Sequence, residues 1–587
     1  MKRDCSPRSR GKSDVRPNAR VLRAVAFGLV VLCCWQRQAL VRAEGEQIMP
    51  GGTAAIGRGG ATAARPSDNM AMLSNPAGLV DLAGDQVLWN LDTVIDSFCV
   101  KPYGYYGWGI YLTEDSQGNT DNPDDHRSEF GDPSSSRYGT RSLDRVCNSG
   151  PVGPLPQVAY SFHITPRLSL AFGFVANAFM GGSQWGGKDG TIQTDDGARP
   201  TPTRYQFIRQ EVSFALNPTG SVAYRATPWL SVGMTLQVLM GSASQFNVMA
   251  LRAGTSPAND MLTKVHAVDL FMPALTFAVY LKPTRRLRFA GTFNWSDGLD
   301  GHGDITFTTN YFHQGAVGSE GLPLQNDPVK LARVRITQPW TATLAARYVQ
   351  PIAADDSGGN DPMKDQRWDL ELDASYVANK TGSGVNQVEV ANDFTLEFRR
   401  ADGTPQMPLQ VKQSDLEEIN LERHVLDLWV LRLGGSVNIV PNRFQVSAGG
   451  FYQTRSVEPS YASIDNFGFQ RVGLGLGVTV RLGSFDLMAA FSHVFQETIT
   501  VAPPRHEPRT NATDAPDSGF DTRVFRDGTL GEPTPDPNAP SPGQADGVAK
   551  LTQSAVFESD YLRRRVVNAG RYTASFNVVS VGAVYHF

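Results

Sequence analysis

The chain has 587 residues, a formal net charge of −4 and 41% hydrophobic residues. A charge so close to neutral gives no reason to expect nucleic acid as a partner. The hydrophobic fraction is ordinary and fits a soluble protein as well as a membrane protein, so the order of the apolar residues has to identify the class.

The first 43 residues have the pattern of a secretory signal peptide. Basic residues are frequent up to Arg23, and an apolar stretch of 12 residues follows at 24–35, too short to span a bilayer comfortably. Val41-Arg42-Ala43 fits a cleavage site with small residues, so we expect residues 1–43 to be removed. Cys33 and Cys34 raise a lipoprotein alternative, but the preceding residues 30–32 lack the small residues of a lipobox.

The segment 44–85 differs from the rest of the chain. It is rich in Gly and Ala at 51–64 and continues through an ordered run from Met70 to Leu79. Small residues let backbone segments approach closely, and some 40 residues are too few for an independent core. We therefore predict that 44–85 is a plug, or hatch, inside a larger domain. A loose periplasmic tail is the alternative, but it would not explain the ordered run.

The remainder, 86–587, shows the period of two that is typical of β-strands. In one example, Leu230, Val232 and Met234 alternate with Ser231 and Gly233. The pattern predicts an apolar face and a polar face on every strand, which suits a closed barrel with lipid outside and a polar lumen. Two-sided sheets in a soluble protein are the alternative, although they would need a very large shared core.

The connections between strands alternate in length. Six are mostly tight, with 350–366 as the long exception, and seven are long, so 14 antiparallel strands are predicted. Both ends of the barrel then lie on the short-turn, periplasmic side. The predicted extracellular loops cover about 99–155, 180–203, 246–263, 298–330, 379–423, 456–466 and 500–572.

The long loops are polar, acidic or proline-rich. The stretch 113–132 is dense in Asp and Asn, but its spacing does not fit an EF-hand, so a solvated loop is the better interpretation. We predict neither a metal nor a cofactor. Cys99 and Cys147 are the two cysteines left after the signal peptide, and they lie at the ends of the first long loop outside the cytoplasm. We predict a disulfide between them, with two free thiols as the alternative.

Several motifs resemble the FadL-type family of outer-membrane transporters, which carry long-chain fatty acids and also include aromatic-hydrocarbon transporters. The resemblance begins with 57–61, Gly-Arg-Gly-Gly-Ala, and the Asn-Pro-Ala signature within 74–79. It continues at 216–218, 227–233 and 368–376, and it ends with the C-terminal strand that stops at the aromatic Phe587. The long loops exceed the length expected for the family, which leaves the substrate open.

The resemblance implies passive uptake of a fatty acid or similar hydrophobic small molecule across the outer membrane, followed by hatch movement and lateral exit near a kinked strand. It also implies contact with outer-membrane lipid and lipopolysaccharide, and recognition of the Phe587 strand by the barrel-assembly machinery. We expect a monomer. Pro76 fixes a bend and Asn75 can satisfy backbone groups across it, so Asn75, Pro76 and Ala77 are the candidate gating residues.

Ligand-binding residues are harder to assign. Cations that project to the polar side could orient a carboxylate, and five candidates fit this description: Arg286, Arg288, Arg443, Arg471 and Arg481. We do not predict an enzyme, because Ser492 and His493 are strand neighbours that point to opposite faces and no catalytic motif is found. An aromatic-hydrocarbon transporter, a general porin, an adhesin and an outer-membrane lipid enzyme remain the alternatives.

Overall fold

The computed structural model describes most of the barrel and the segment inside it. The described residues are 51–103, 143–149, 153–175, 183–194, 197–204, 206, 208–250, 260–309, 325–326, 329–352, 361–382, 385–390, 394–397, 409–411, 419–422, 424–464, 468–501 and 569–587. The predicted signal peptide at 1–43, the acidic stretch 113–132 and most of the predicted loop 500–572 lie outside these residues.

Within the described residues, fourteen antiparallel strands form one closed barrel, as predicted. Each strand pairs with the next, and the last pairs with the first from Gln86 opposite His586 to Pro102 opposite Gly570. Some strands consist of two consecutive segments. They are β1 Gln86–Pro102, β2 Gly153–Thr165, β3 Leu168–Phe174, β4 Arg209–Leu216 and Pro218–Thr227, β5 Leu230–Ala250, β6 Asp260–Leu281, β7 Leu287–Ser296 and Leu299–Thr309, β8 Val329–Ile336 and Thr341–Pro351, β9 Gln366–Val377 and Val385–Val390, β10 Ile419–Glu422 and Leu428–Val440, β11 Phe444–Gln453, β12 Arg471–Leu482, β13 Phe485–Gln496 and Ile499–Val501, and β14 Gly570–His586.

The barrel has an apolar exterior and a polar interior. Leu344, Leu474 and Leu476 are 71%, 58% and 63% exposed, whereas Asp369 and Glu371 are 4% and 0% exposed. Alternate residues of one strand therefore face two different media. A polar lumen surrounded by an exposed aliphatic surface is the arrangement of a membrane-spanning barrel of the outer-membrane type.

Aromatic residues form clusters towards both ends of this apolar surface. Towards the long-loop end, the ring of Tyr376 lies 5.5 Å from that of Trp340 and 5.0 Å from that of Trp429. Towards the short-turn end, Tyr585 and Phe587 have ring centroids 4.8 Å apart. Aromatic girdles at both membrane–water interfaces are typical of transmembrane barrels.

Several predicted loops contain long strand extensions, so their predicted boundaries were wrong. β5 and β6 have 21 and 22 residues and pair as far as Ala250 opposite Asp260, which occupies much of the predicted loop 246–263. The predicted loops 298–330 and 379–423 likewise contain second segments of β7 to β10. These extensions carry many Thr, Lys, Asp and Asn residues. The apolar face by which strands were recognised is weaker there because an extension beyond the lipid does not need it.

The remaining elements are short. Val146–Cys147 pairs with β1, and the structure joins Cys99 and Cys147 by a disulfide across that pairing. Ser183–Gln184 pairs with β4. The other elements among the described residues are a hairpin of Thr191–Thr194 with Gly197–Pro200, a small sheet of Gln325–Asn326, Phe394–Glu397 and Leu409–Val411, an α-helix at Asn379–Gly382 and a 3-10 helix at Pro459–Tyr461. No helix among the described residues is long and apolar enough to cross a membrane.

The segment before β1 lies inside the barrel. It contains two one-turn helices, α1 (Thr53–Ile56) and α2 (Ala71–Ser74), and a 3-10 helix (Pro76–Asp81). Nearly all of its residues are buried, including polar ones such as Arg58 and Asn75 at 0% exposure. We call residues 51–85 the hatch.

Candidate functional site

A buried ion-pair cluster joins the hatch to the barrel wall. Arg58 donates from Nη1 to Asp369 Oδ1 at 2.8 Å and from Nη2 to Glu371 Oε2 at 3.1 Å. Arg65 Nε lies 3.0 Å from Asp369 Oδ2, and Arg347 of β8 pairs with the same carboxylate. Burial and the nearby Arg58 charge lower the pKa of Arg65 to about 10, which leaves it protonated at neutral pH. The hatch is therefore tied to β9 by charge-assisted hydrogen bonds.

Two carboxylates of β9 also hold the hatch backbone. Asp373 Oδ2 accepts the N–H groups of Thr62 and Ala63 at 3.1 and 3.3 Å, and Glu371 Oε1 accepts that of Ala64 at 2.6 Å. Asp369, Glu371 and Asp373 are spaced two residues apart, so the strand period brings all three to the lumen. This agrees with the polar luminal face that the period of two predicts for every strand.

The predicted gating motif lies against the opposite part of the wall. Asn75 donates from Nδ2 to the Ala63 carbonyl at 2.6 Å, which links the two halves of the hatch. Pro76 begins the 3-10 helix, and this backbone passes so close to β5 that a Cβ on Gly233 would clash with the Ala77 nitrogen. Nearby, Thr235 Oγ1 donates to the Met72 carbonyl at 2.6 Å. The absence of a side chain at Gly233 allows the Pro76-Ala77 backbone to approach β5 this closely.

Further polar contacts hold both ends of the hatch. At its start, Gly52 and Thr53 donate their N–H groups to Asp92 Oδ2 at 2.9 Å and Asn90 Oδ1 at 3.0 Å. At its end, Asp81 forms ion pairs with Arg225 of β4 and Lys282, the residue after β6. The hatch is thus attached around much of the barrel circumference.

A cavity of about 240 Å³ lies between the hatch and the wall formed by β5 to β10. Its apolar lining includes Met70, Leu73, Leu239, Met272 and Ala274. Its polar lining comes from the hatch and from six strands. These polar residues are Thr62, Arg65, Ser67, Asp68, Ser74, Thr235, Gln237, Thr276, Thr292, Asn294, Ser296, Gln338, Thr341, Thr343, Asp373, Ser375 and Arg432.

Among the described residues, the ladder between β2 and β3 ends before β2 does. The described pairing of β2 with β3 ends at Val158 opposite Phe174, whereas β2 remains paired with β1 up to Gly153. Pro154 and Pro156 have no backbone N–H. Residues two apart on a strand direct their backbone hydrogen-bonding groups to the same neighbouring strand, so both prolines lack a donor on the same side. Because the ladder to β1 continues through both, the missing donors face the β3 side. The prolines thus disfavour closure of the ladder beyond Val158.

The five arginines predicted as ligand contacts do not line the cavity. Arg286 and Arg443 are exposed at the short-turn end, so their predicted luminal position was wrong. Both residues lie in turns just before a strand, where side chains do not alternate between two faces. The other three, Arg288, Arg471 and Arg481, are fully or partly buried. Arg471 donates to Gln496 and lies against the Phe576 ring, and Arg481 pairs with Asp486 and Asp361.

Neither Arg58 of the hatch nor Arg432 at the cavity was predicted as a site residue. Arg58 follows Gly57 in the hatch motif, and a charge in such a small-residue segment is a signal for a buried partner. Arg432 lies on the polar face of β10 and donates to Ser375 at 2.7 Å. Its alternation with Leu431 and Leu433 was available in the sequence.

Comparison with known proteins gives a match at the level of structure. No family model and no curated protein sequence matches the chain. A Pseudomonas aeruginosa FadL homologue superposes with a TM-score of 0.57 at 14% identity, covering 94% of this chain and 100% of that one. The Pseudomonas putida toluene transporter TodX gives 0.52 at 14% identity, covering 93% and 100%. The predicted resemblance is confirmed as a shared fold across nearly the whole chain.

Proposed function

We propose that this protein takes up hydrophobic small molecules across the outer membrane by passive diffusion through a hatch-gated barrel. The observation that carries the proposal is the partly apolar cavity between the hatch and the wall. An open porin would need a continuous aqueous lumen, whereas the hatch here contacts the wall on several sides. Burial of a ligand in such a cavity gains about 0.8 kcal/mol per CH₂ group.

The proposed route has two parts. A solute enters the cavity from the long-loop side and leaves near the described end of the β2–β3 ladder, where Pro154 and Pro156 disfavour further pairing. Gln237 links the two places, because it lines the cavity and donates to the carbonyl of Val175, the residue after β3, at 2.6 Å. Movement of the Asn75-Pro76-Ala77 segment, which packs on β5 at Gly233, would open the path between them.

Two substrate classes are candidates: long-chain fatty acids, from the sequence resemblance, and aromatic hydrocarbons, from the similarity to the toluene transporter. Long-chain fatty acids and aromatic hydrocarbons both satisfy the requirement for apolar bulk. Uptake of radiolabelled oleate and toluene should therefore be measured in a bacterial host that lacks its own transporters for both. We expect the protein to accelerate entry of at least one, and equal entry with and without the protein would refute the proposal.

A blocking substitution tests whether the cavity is on the route. Ala274 is buried and lines the cavity, so Ala274→Trp should fill it and reduce uptake several-fold. Val279 lies on the same strand but is 43% exposed on the lipid-facing side, so Val279→Trp is the matched control. At equal surface abundance the control should transport normally. Unchanged uptake by Ala274→Trp would show that solutes pass elsewhere.

A further inference from the structure

Three hydrogen-bond acceptors of cavity-lining residues are buried without a partner among the described residues. They are Gln237 Oε1 of β5, Asn294 Oδ1 of β7 and Asp373 Oδ1 of β9. Gln237 and Asp373 are each 2% exposed. Buried polar atoms in folded proteins nearly always have partners, so unpaired atoms at a cavity indicate a partner that the protein itself does not supply.

The orientation of two of these groups is fixed by their other contacts. The Gln237 amide nitrogen donates to the Val175 carbonyl at 2.6 Å and to Thr219 Oγ1 at 2.9 Å. Reversing the amide would place its oxygen against the Val175 carbonyl, so the free atom is the oxygen. The second carboxylate oxygen of Asp373 already accepts two hatch N–H groups.

The cations at the cavity already have partners. Arg65 lies against Asp369 and donates to Gln445 Oε1 at 2.8 Å. Arg432 donates to Ser375 Oγ at 2.7 Å. A ligand carboxylate would have to displace these contacts to reach either cation. The cavity therefore offers a ligand hydrogen-bond acceptors, whereas its two cations are already paired.

We propose that the cavity selects apolar solutes that carry a neutral hydrogen-bond donor, such as the hydroxyl of an alcohol or a phenol. This inference rests on the proposed function and names the substrate class of the same site. A hydroxyl can donate to one of the three acceptors while its apolar body contacts residues such as Leu239 and Met272. A pure hydrocarbon and a carboxylate both lack a hydrogen to donate, so each leaves every acceptor unpaired.

Three ligands that differ only in one group provide the test: 4-octylphenol, octylbenzene and 4-octylbenzoate. Binding to the mature protein in nanodiscs is measured by equilibrium dialysis, with protein-free nanodiscs as the correction for partition into lipid. We expect the phenol to bind roughly tenfold more tightly than octylbenzene, as one buried hydrogen bond would give, and the benzoate to bind most weakly. Equal affinities, or tightest binding of the benzoate, would overturn the proposal.

Two variants identify the acceptors. Gln237→Leu and Asn294→Leu remove them with little change in volume and should reduce the preference for the phenol over octylbenzene. Thr343→Val is the control, because the Thr343 hydroxyl lines the cavity but is already paired with Ser375 Oγ at 2.8 Å. An equal loss of affinity for all three ligands in the two Leu variants would refute the assignment of Gln237 and Asn294 as the acceptors.

The same ligands separate this proposal from the proposed function. Entry of all three into proteoliposomes at equal protein-dependent rates, with equal affinities, would refute the selectivity and leave the transport function in place. Failure of all three to bind and to enter above the protein-free background would overturn both. The comparison in the unmodified protein needs no variant, so a folding defect in a variant cannot obscure it.

Discussion

Removal of the Arg58 side-chain charge should release the hatch while leaving the barrel folded. Arg58 is fully buried and bridges Asp369 and Glu371, and its Nε also donates to the Ala61 carbonyl at 2.9 Å. In Arg58→Met, Asp369 keeps Arg347 and Arg65, whereas Glu371 loses its arginine partner and keeps its hydrogen bond from the Ala64 N–H. Loss of one partner from a buried ion pair costs about 3–5 kcal/mol.

Hydrogen exchange measures this cost directly. The barrel ladders do not involve Arg58, so the amides of β1 to β14 should exchange as in the unmodified protein. The amides of residues 51–85 should exchange on the order of 100-fold faster, as a loss of about 3 kcal/mol in local opening free energy implies. Arg455→Met is the control, because it breaks an ion pair, that of Arg455 with Glu497, outside the hatch. Arg455 is 37% exposed, and such a surface pair is worth about 0–1 kcal/mol. Hatch amides as slow as in the unmodified protein would refute the anchoring role.

Three further predictions concern the bridge, the hatch contact and the gate. Replacing Cys99 and Cys147, which are 48 residues apart, by Ser should lower stability by about 4 kcal/mol, measured by urea unfolding with the unmodified protein as reference. Gly233→Ala should displace the hatch and accelerate hydrogen exchange of the hatch amides. Gly220→Ala should not, because no atom lies within 4 Å of the added Cβ, and equal exchange rates in both variants would contradict the close-contact argument. Asn75→Ala should leave the barrel folded and change uptake of a hydrophobic probe; unchanged uptake and an unchanged hatch would assign the residue to packing alone.

The membrane-spanning part of the fold was predictable because lipid enforces a strict rule on each strand. Residues such as Leu474 and Leu476 must be apolar, and their neighbours Gly473 and Gly475 need not be, so the period of two is visible. Beyond the lipid this rule ends, so the sequence predicts loops at 298–330 and 379–423 where the structure has strand extensions.

The site was less predictable because it depends on contacts between distant parts of the chain. The hatch could be recognised from its small residues, but the pairing of Arg58 with Asp369 and Glu371 spans more than 300 residues. Nothing in local periodicity specifies such a partner. The same is true of the cavity acceptors: Gln237 and Asn294 resemble ordinary luminal residues until the positions of their neighbours are known.

The chemistry of the hatch interface fits a part that moves. Burying an ion pair costs desolvation that nearly offsets its attraction, so Arg58 with its two carboxylates adds little net free energy compared with apolar packing. The loss of one partner is nevertheless expensive, which keeps the closed arrangement specific. An apolar interface of the same size would hold the hatch more firmly and with less dependence on register. If the hatch opens to admit water, its charges regain solvation as they separate, and the cost of opening is lower than the number of contacts suggests.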